Sequence, residues 1–387
     1  QVHSVFSTSD TQWVLLRDST IPKNIPIAQA GSTGTPIDGV TSANFYKNSA
    51  LQSISTRAEV ATTYSTGTQS LMTINGNIAS TGSSTILFGT YVSSFTMNAK
   101  QQELVIYTTD ETSNRTGIET NIGGYYDIPL AGLLDEYSGA EAGYSLRRLS
   151  STYTGSAIKV QDNVGGATLD VGFDSNRELD TSAIAAYGGV NDVFVETWYD
   201  QSGNGNNSTQ ATSANRPKIY DGTTGAVVIN NGKPSLDFKA GDFMADTTWN
   251  GASTTYIFNV LQSNGLEALP RIGIDVGSVV EYYGLGINGN TGASSAGIGS
   301  LSQFSNGTSI GATRNDIWDA LQSQSVLTVS GDFSTWTGGF GLTRSGQKMY
   351  TFGQEFIIYN SDQSTNRTGI ETNINDFYSI YGPTPTP

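Results

Sequence analysis

The chain of 387 residues contains no cysteine and only one histidine. Without cysteine it cannot form disulfides, thiolate metal sites or a cysteine nucleophile. The histidine, His3, lies at the start of the sequence, where we expect a solvated side chain. A Ser–His–Asp triad and a multi-histidine zinc site are therefore strongly disfavoured, and any catalysis would depend on carboxylates.

Basic residues and long apolar runs are also scarce. The 19 Lys and Arg residues against 34 Asp and Glu give a formal net charge of −15. Nucleic-acid binding needs clustered basic side chains, and the densest group is the pair Arg147–Arg148. No apolar run approaches the roughly 20 residues that span a bilayer. The sequence thus disfavours nucleic acid as a partner and predicts no membrane span.

Glycine and tyrosine are abundant, with 45 and 19 residues respectively, which favours β-sheet joined by tight turns. Alternating runs such as "SVLTVSGDF" and "DVFVETWYD" predict antiparallel strands of a β-sandwich. Two short helices are predicted, one over "AGYSLRRLS" (142–150) and one over 180–189. The second helix has Asp180 or Thr181 as its N-cap.

A nine-residue identity divides the chain. The stretch "NRTGIETNI" occurs at 114–122 and at 366–374, and the similarity extends from 101–128 onto 353–380. The same offset places "SVF" (4–6) over "YIF" (256–258). Each copy predicts a strand that leads into a short amphipathic helix. Glu103 and Glu355 begin the two strands, so we expect them to share a structural role.

The first copy matches only the second half of the later one. This predicts a partial unit over 1–129, a complete domain over 130–382 and a Pro-Thr tail over 383–387. An isolated half-sandwich would expose unpaired strand edges. We therefore expect 1–128 to pack on the larger domain or to receive strands from another copy, another protein or an upstream segment.

The order "YSLR", "WYDQSGNGNN", "NGKPSLDF" and "NRTGIETNI" resembles the concanavalin A-like, laminin-G-like jelly-roll modules of phage and marine bacterial surface proteins. The resemblance covers about 130–381, and 1–128 as a second half. It implies an all-β fold of tandem antiparallel jelly-roll (concanavalin A-like) sandwiches, each closed by a short amphipathic helix.

The same order is distantly similar to the catalytic domain of glycoside hydrolase family 54 arabinofuranosidases, which use a Glu nucleophile and an Asp acid/base. The resemblance implies Glu281, in "VVEYYGLG", as the nucleophile. Where the acid is expected, the sequence has Leu342, Thr343 and Arg344. None of these side chains donates a proton readily near neutral pH. An enzymatic function is therefore uncertain and is less favoured than a non-enzymatic one.

Two further groups are candidate ligand sites. Asp200, Asn204 and Asn206 are oxygen donors in a glycine-broken loop, which suits either a Ca²⁺ site or a self-bonded turn, and the turn is favoured. Tyr282 and Tyr283, beside the proposed nucleophile, suit a sugar-stacking patch or an alternating strand with one buried ring. Apart from possible Ca²⁺, we expect no cofactor.

These observations predict a non-enzymatic virion surface protein, a phage tail fibre or decoration protein, that binds host glycans or neighbouring subunits as a homo-oligomer. The first alternative is a secreted glycoside hydrolase of the arabinofuranosidase type. The second is a bacterial adhesin or an extracellular filament subunit. The expected location is the virion surface or the extracellular space.

Overall fold

The computed structural model forms two compact units, Gln1–Gly132 and Leu133–Pro387, which we call unit 1 and unit 2. The strands described pair antiparallel and the helices are few and short, in agreement with a β-sandwich. The described residues are 1–9, 12–18, 24–37, 43–76, 86–88, 99–111, 114–126, 128, 130–240, 242, 244–246, 249–265, 271–275, 282–297, 301–336, 340–341 and 348–382.

Unit 1 contains a sheet of order β5-β4-β6-β1-β8 and a sheet of order β3-β2-β7. Its described strands are β1 (Val2–Ser7), β2 (Gln12–Asp18), β3 (Asn24–Gln29), β4 (Ala43–Lys47), β5 (Ala50–Gln52), β6 (Ser70–Gly76), β7 (Ile86–Phe88) and β8 (Lys100–Ile106). Its described helices are α1 (Arg57–Tyr64) and α2 (Arg115–Tyr125).

Unit 2 begins with the helix α3 (Leu133–Glu136) and has a more extensive sheet. Its described strands are β9 (Ala142–Ser145), β10 (Ile158–Asp162), β11 (Leu169–Val171), β12 (Val193–Trp198), β13 (Ser208–Thr209), β14 (Lys218–Asp221), β15 (Ala226–Val227), β16 (Ile229–Asn230), β17 (Lys233–Pro234), β18 (Leu236–Ala240), β19 (Ala245–Asp246), β20 (Thr255–Ser263), β21 (Arg271–Asp275), β22 (Tyr282–Leu285), β23 (Ser302–Ser305), β24 (Thr308–Ile310), β25 (Ser325–Gly331), β26 (Phe340–Gly341) and β27 (Lys348–Tyr359). Its remaining helices are α4 (Thr181–Gly188), α5 (Arg314–Ala320) and α6 (Arg367–Tyr378).

The core of unit 2 includes aromatic side chains from strands that are distant in sequence. Trp198 on β12 is fully buried, with its ring centroid 6.2 Å from that of Tyr144 on β9. On another side it meets Phe356 on β27 edge-on at 5.7 Å. Large aromatic rings contribute much of the apolar area in such a core. The core therefore ties the first strand of the unit to its last.

Strand β1 lies inside the larger described sheet of unit 1, where it pairs with β6 on one side and with β8 on the other. Val5 faces Leu71 on β6 and Glu103 on β8. The pairing with β8 shifts register between Val5 and Phe6, as a β-bulge does.

In unit 2, β20 is placed in the same way between β25 and β27. Val260 faces Val326 and Glu355, and the register shifts directly after Val260. Val260 is therefore the counterpart of Val5, 255 residues later. The alignment of "SVF" over "YIF" is wrong by three residues, because the connection before β27 is three residues shorter than the one before β8.

Turn and helix-cap chemistry is duplicated as well. Asn48 and Asn306 both have φ 51°, and each accepts a hydrogen bond from a backbone N–H of the neighbouring strand, at 2.9 Å. Thr56 and Thr313 each form a capping box at the start of a helix. Unit 1 thus repeats the second half of unit 2 in strand pairing, turns and caps.

The two units differ at one edge of the repeated sheet. In unit 2, β27 pairs with β20 and, on its other side, with β9 and β18. Within the described part of unit 1, β8 pairs with β1 alone. Ile106 on β8 is 41% exposed, whereas its counterpart Ile358 is fully buried. Among the described residues, β8 therefore has a partner strand on one side only, whereas β27 has partners on both sides.

Two further sequence expectations are wrong and one is confirmed. His3 is fully buried, because it lies on β1, which has a partner strand on each side, and its Nδ1 is 3.0 Å from Oγ1 of Thr73. The stretch over 142–150 begins as strand β9, not as a helix, because pairing with β27 outweighs its helical propensity. The helix at 180–189 is confirmed as α4, with Asp180 accepting a hydrogen bond from the N–H of Ala183.

Candidate functional site

The loop that holds Asp200 is organised around the buried carboxylate of that residue. Its Oδ1 accepts hydrogen bonds from the backbone N–H groups of Gly143 and Ser202, both at 2.8 Å. Its Oδ2 accepts from the Ser202 hydroxyl at 2.7 Å and from the N–H of Asn206 at 3.1 Å. Both carboxylate oxygens are therefore engaged by protein donors.

The two asparagines of this loop bond to the segment before β9. The side-chain Nδ2 groups of Asn204 and Asn206 donate to the carbonyl of Glu141 at 3.0 and 2.9 Å. These contacts are those of a self-bonded turn. Among the residues the structure describes, no group of three or more His, Cys, Asp or Glu is placed to hold a metal ion. Calcium binding by this loop stays a prediction.

The tyrosine pair on β22 divides between core and surface. Tyr283 is fully buried, its hydroxyl lies 3.0 Å from Oδ1 of Asn259, and burial raises its pKa. Its ring stacks on Trp336 at 6.2 Å. Tyr282 is half-buried, and its hydroxyl accepts from Nη2 of Arg314 at 3.5 Å. A surface ligand would therefore meet Tyr282, whereas the ring of Tyr283 belongs to the core.

The residues predicted to carry hydrolase chemistry are not described. Glu281, the predicted nucleophile, lies outside the described residues. The same holds for Leu342, Thr343 and Arg344 at the expected acid position. Their roles stay predictions.

Sequence reasoning missed a buried ion pair between Arg147, two residues after β9, and Glu355 on β27. Nε and Nη2 of Arg147 donate to Oε2 and Oε1 of Glu355 at 2.8 and 3.0 Å, a bidentate arrangement. Glu355 is fully buried, and Arg147 is nearly so. The Ser145 hydroxyl donates to the same carboxylate at 2.7 Å.

Helix α6 completes the surroundings of this arginine. Oδ1 of Asn373 accepts from Nη1 of Arg147 at 3.0 Å. The guanidinium carbon lies 4.9 Å from the ring centroid of Phe377, within cation–π range. The hydroxyl of Tyr378 lies 3.3 Å from Oε2 of Glu355 and 3.4 Å from the carbonyl of Gln354. We call these residues, with Arg147, the filled arginine site.

Unit 1 contains counterparts of the four residues that surround Arg147 in the filled arginine site, Glu355, Asn373, Phe377 and Tyr378. At the offset of 252 residues these are Glu103, Asn121, Tyr125 and Tyr126, which we call the open arginine site. The rings of Tyr125 and Tyr126 are 4.8 Å apart at 81°, as Phe377 and Tyr378 in unit 2 are 4.8 Å apart at 85°.

The open arginine site differs from the filled one because no described residue supplies a cation to its glutamate. The hydroxyl of Tyr126 lies 3.5 Å from the carbonyl of Gln102, and its pKa is raised by burial and by a hydrogen bond with Glu103. Glu103 is half-buried, and it has no ion pair within the part of unit 1 that the structure describes. Tyr125 is 80% exposed. Glu103 and Glu355 therefore share a tyrosine hydroxyl as a neighbour, but among the described residues an arginine pairs with Glu355 alone.

A second ion pair, within the last helix of the repeat, is formed in both units. In unit 1, Arg115 and Glu119 are 2.6 Å apart on α2, and the guanidinium lies 4.0 Å from the ring centroid of Tyr46. Burial raises the pKa of Glu119, while Arg115, Thr73 and Ser49 act in the opposite direction. We call this group the helix ion pair of unit 1.

The helix ion pair of unit 2 has the same geometry. Arg367 and Glu371 are 2.6 Å apart on α6, and the guanidinium lies 4.0 Å from the ring centroid of Phe304. The hydroxyl of Thr328 donates to Glu371 at 2.7 Å. The duplicated "NRTGIETNI" therefore encodes an ion pair that fastens a helix to its sheet.

No protein-family profile matches the chain. No curated protein matches it either. Solved structures that it resembles include an arabinofuranosidase complexed with arabinofuranosyl-α-1,2-xylobiose, at 16% identity and a TM-score of 0.39. Another is a GH54 α-L-arabinofuranosidase soaked with a cyclic sulfate inhibitor, at 17% identity and the same TM-score.

These matches cover 64% of this chain and 65–66% of the arabinofuranosidase chains. A likeness at this level leaves the activity to be argued from the chain itself. Within the described residues, no helix is long and apolar enough to cross a membrane.

Proposed function

We propose that this chain is a non-enzymatic interaction protein that assembles with other polypeptides by strand addition. The observation that carries the proposal is the outer edge of β8, which has no partner strand among the described residues of unit 1. The matched strand of unit 2, β27, is paired on that side with β9 and β18. An open edge presents unpaired backbone N–H and C=O groups, to which an extended segment can add.

In this proposal the larger domain is a complete concanavalin A-like jelly-roll sandwich, the first unit is part of one, and each is closed by its last helix. The partial unit over 1–129 lacks the strands that complete the domain over 130–382, and the Pro-Thr segment 383–387 is a tail. The matched register at Val5 and Val260 supports this assignment, because a shared register orients side chains to the same faces.

Strand addition suits a protein that links subunits at the surface of a virion or in an extracellular assembly. A tail fibre, a decoration protein, an adhesin and a filament subunit all need such contacts, and homo-oligomers or hetero-oligomers can use them. The half-buried Tyr282 remains the residue through which a glycan would be recognised in the same proposal.

The test is hydrogen–deuterium exchange of the full chain in the presence of the synthetic peptide "GAEAGYSLRRLS", which is residues 139–150 of this chain. The peptide contains the strand that pairs with β27. We expect amide exchange in residues 101–106 to slow by about tenfold at a peptide concentration ten times its Kd, because the bound form protects the edge.

Two lysine variants provide the control. Ile106→Lys should remove the protection, because a lysine on a strand edge opposes strand addition. Val164→Lys places the same change at another exposed apolar residue, in unit 2, and should leave the protection unchanged. Unchanged exchange of β8 at millimolar wild-type peptide, or protection that persists in Ile106→Lys, would contradict the proposal.

A second candidate function is a hydrolase of arabinofuranosides with Glu281 as nucleophile. The observation that favours it is Asp242, whose pKa burial raises to about 6, with Asp237 acting in the same direction. A carboxyl group with such a pKa suits general acid catalysis. Turnover of 4-nitrophenyl α-L-arabinofuranoside that both Glu281→Gln and Asp242→Asn abolish would replace the interaction protein by this candidate.

A further inference from the structure

We infer that the open arginine site selects the added strand by an arginine that follows a serine by two residues. This inference rests on the proposed strand addition at β8 and defines the partner: an extended segment with a Ser-x-Arg pattern. Ser145, Leu146 and Arg147 show that pattern in unit 2.

The filled arginine site defines what the partner must supply. Its carboxylate receives two parallel N–H bonds from Arg147 and a hydroxyl bond from Ser145. A guanidinium matches both carboxylate oxygens with one planar fork, which an ammonium group cannot do. Serine and arginine are therefore recognised together by Glu355.

The open arginine site keeps the acceptors in the same register. Glu103 faces Val5 directly before the bulge of β1, as Glu355 faces Val260 directly before the bulge of β20. Asn121 lies one helical turn before Tyr125, as its counterpart does on α6. A strand added to β8 as β9 is added to β27 would therefore bring its arginine to Glu103.

The exposed ring of Tyr125 in the open arginine site also indicates a partner that supplies an arginine. Tyr125 is 80% exposed, although large aromatic side chains are usually shielded, and it occupies the position of Phe377. In unit 2 the ring at that position lies 4.9 Å from the guanidinium carbon of Arg147. An arriving arginine would cover the ring of Tyr125 in the same manner.

The occupant to which these observations point is a strand of a separate polypeptide. The chain's own β9 is already paired with β27, and Ala142 and Tyr144 on it are fully buried. A second copy that donated its β9 would leave Glu355 buried without a cation, which is strongly destabilising. The net charge of −15 also favours a basic partner segment.

The experiment is a titration of the full chain against fluorescent versions of the 139–150 peptide, followed by anisotropy. We expect Arg147→Gln in the peptide to weaken binding by about 30-fold or more, and Arg147→Lys by about tenfold. Arg148→Gln removes the same charge one residue later and should change the affinity by less than about threefold.

Variants of the full chain complete a double-mutant cycle. Glu103→Gln should weaken binding of the unmodified peptide about as much as the peptide change does, and should add no further loss for the Arg147→Gln peptide. Glu111→Gln is the matched control, because it removes an exposed carboxylate of unit 1 outside the open arginine site. It should leave the affinity unchanged.

Each other outcome overturns the inference in a different way. Equal affinity for all peptides, with β8 still protected from exchange, would overturn the arginine selection and leave strand addition standing. Binding that persists in Glu103→Gln would place the peptide elsewhere, for example on unit 2 in place of β9. A dimer of the chain that dissociates in Glu103→Gln would assign the site to a second copy instead of a separate polypeptide. Failure of every peptide to bind or to protect β8 would overturn both proposals.

Discussion

Units 1 and 2 share the helix ion pair, but among the described residues an arginine pairs with the strand glutamate in unit 2 alone. Arg115 and Glu119 lie in one turn of α2, so both partners are copied together. Arg147 lies 208 residues before Glu355, outside the part of unit 2 that unit 1 repeats. The repeated half thus keeps the ion pair whose two partners lie within it, whereas Glu103, whose counterpart pairs with a residue outside the repeat, has no cation among the described residues.

The largest expected effect is a difference in stability between variants of the two matched glutamates, Glu355 and Glu103. Glu355→Gln should lower the free energy of unfolding of unit 2 by about 3–5 kcal/mol, because it leaves a buried guanidinium unpaired. Glu103→Gln makes the same change in unit 1 and should alter stability by less than about 0.5 kcal/mol. Urea unfolding of the full chain measures both values. Equal losses would mean that Glu103 is already paired.

The next largest effect is a pH dependence of stability that only unit 1 should show. Its source is His3 on β1, whose counterpart on β20 is the non-titratable Phe258. Burial lowers the pKa of His3 to about 4 from 6.5. The folded state therefore binds fewer protons, so this contribution to stability is full above about pH 6.5 and is lost as the pH falls to 4. The expected loss is about 3 kcal/mol.

The single histidine makes this prediction directly measurable. An NMR titration should show one imidazole pKa near 4, and the matching variant His3→Phe should remove the His3 part of the pH dependence of unfolding. Glu119, whose pKa is raised by burial, contributes with the opposite sign and is present in both proteins, so their difference isolates His3. An imidazole pKa near 6.5 would show that His3 is solvated.

The smallest expected effect is the loss of stability on breaking a helix ion pair, and we expect it to be equal in the two units. Arg115→Met and Arg367→Met should each destabilise their own unit by about 2 kcal/mol, because each leaves a buried carboxylate without its charged donor. Urea unfolding again provides the measurement. Losses that differ by more than about 1 kcal/mol would show that the two sites are not equivalent.

The sequence was sufficient for contacts that are local or repeated. Periodicity and identity together predicted the strands β8 and β27 and the helices α2 and α6, and Asp180 was recognisable as a cap. The alignment of the two repeats also showed that Glu103 and Glu355 occupy matched positions. What failed depends on tertiary pairing: "AGYSLRRLS" has good helix formers, but its first residues complete a sheet beside β27.

The arginine sites were out of reach of sequence reasoning for the same reason. Nothing local indicates that Arg147 meets Glu355, because their contact requires the register of two strands and the placement of α6. The prediction for His3 failed because proximity to the start of a sequence usually indicates exposure, whereas β1 is paired on both sides within its sheet. A signal was available in the unequal surroundings of the two glutamates, since only the later copy has an upstream "YSLR".

The long reach of the Arg147–Glu355 contact also sets an order for synthesis and folding. Ribosomes add about 5–20 residues per second, so β9 emerges on the order of 10–40 s before the strand it pairs with. The repeated sheet of unit 1 and its helix α2 end at Tyr125, and they can form while most of unit 2 is still untranslated. We therefore expect folding on the ribosome to proceed in two stages, with the arrival of β27 and α6 as the event that closes the second.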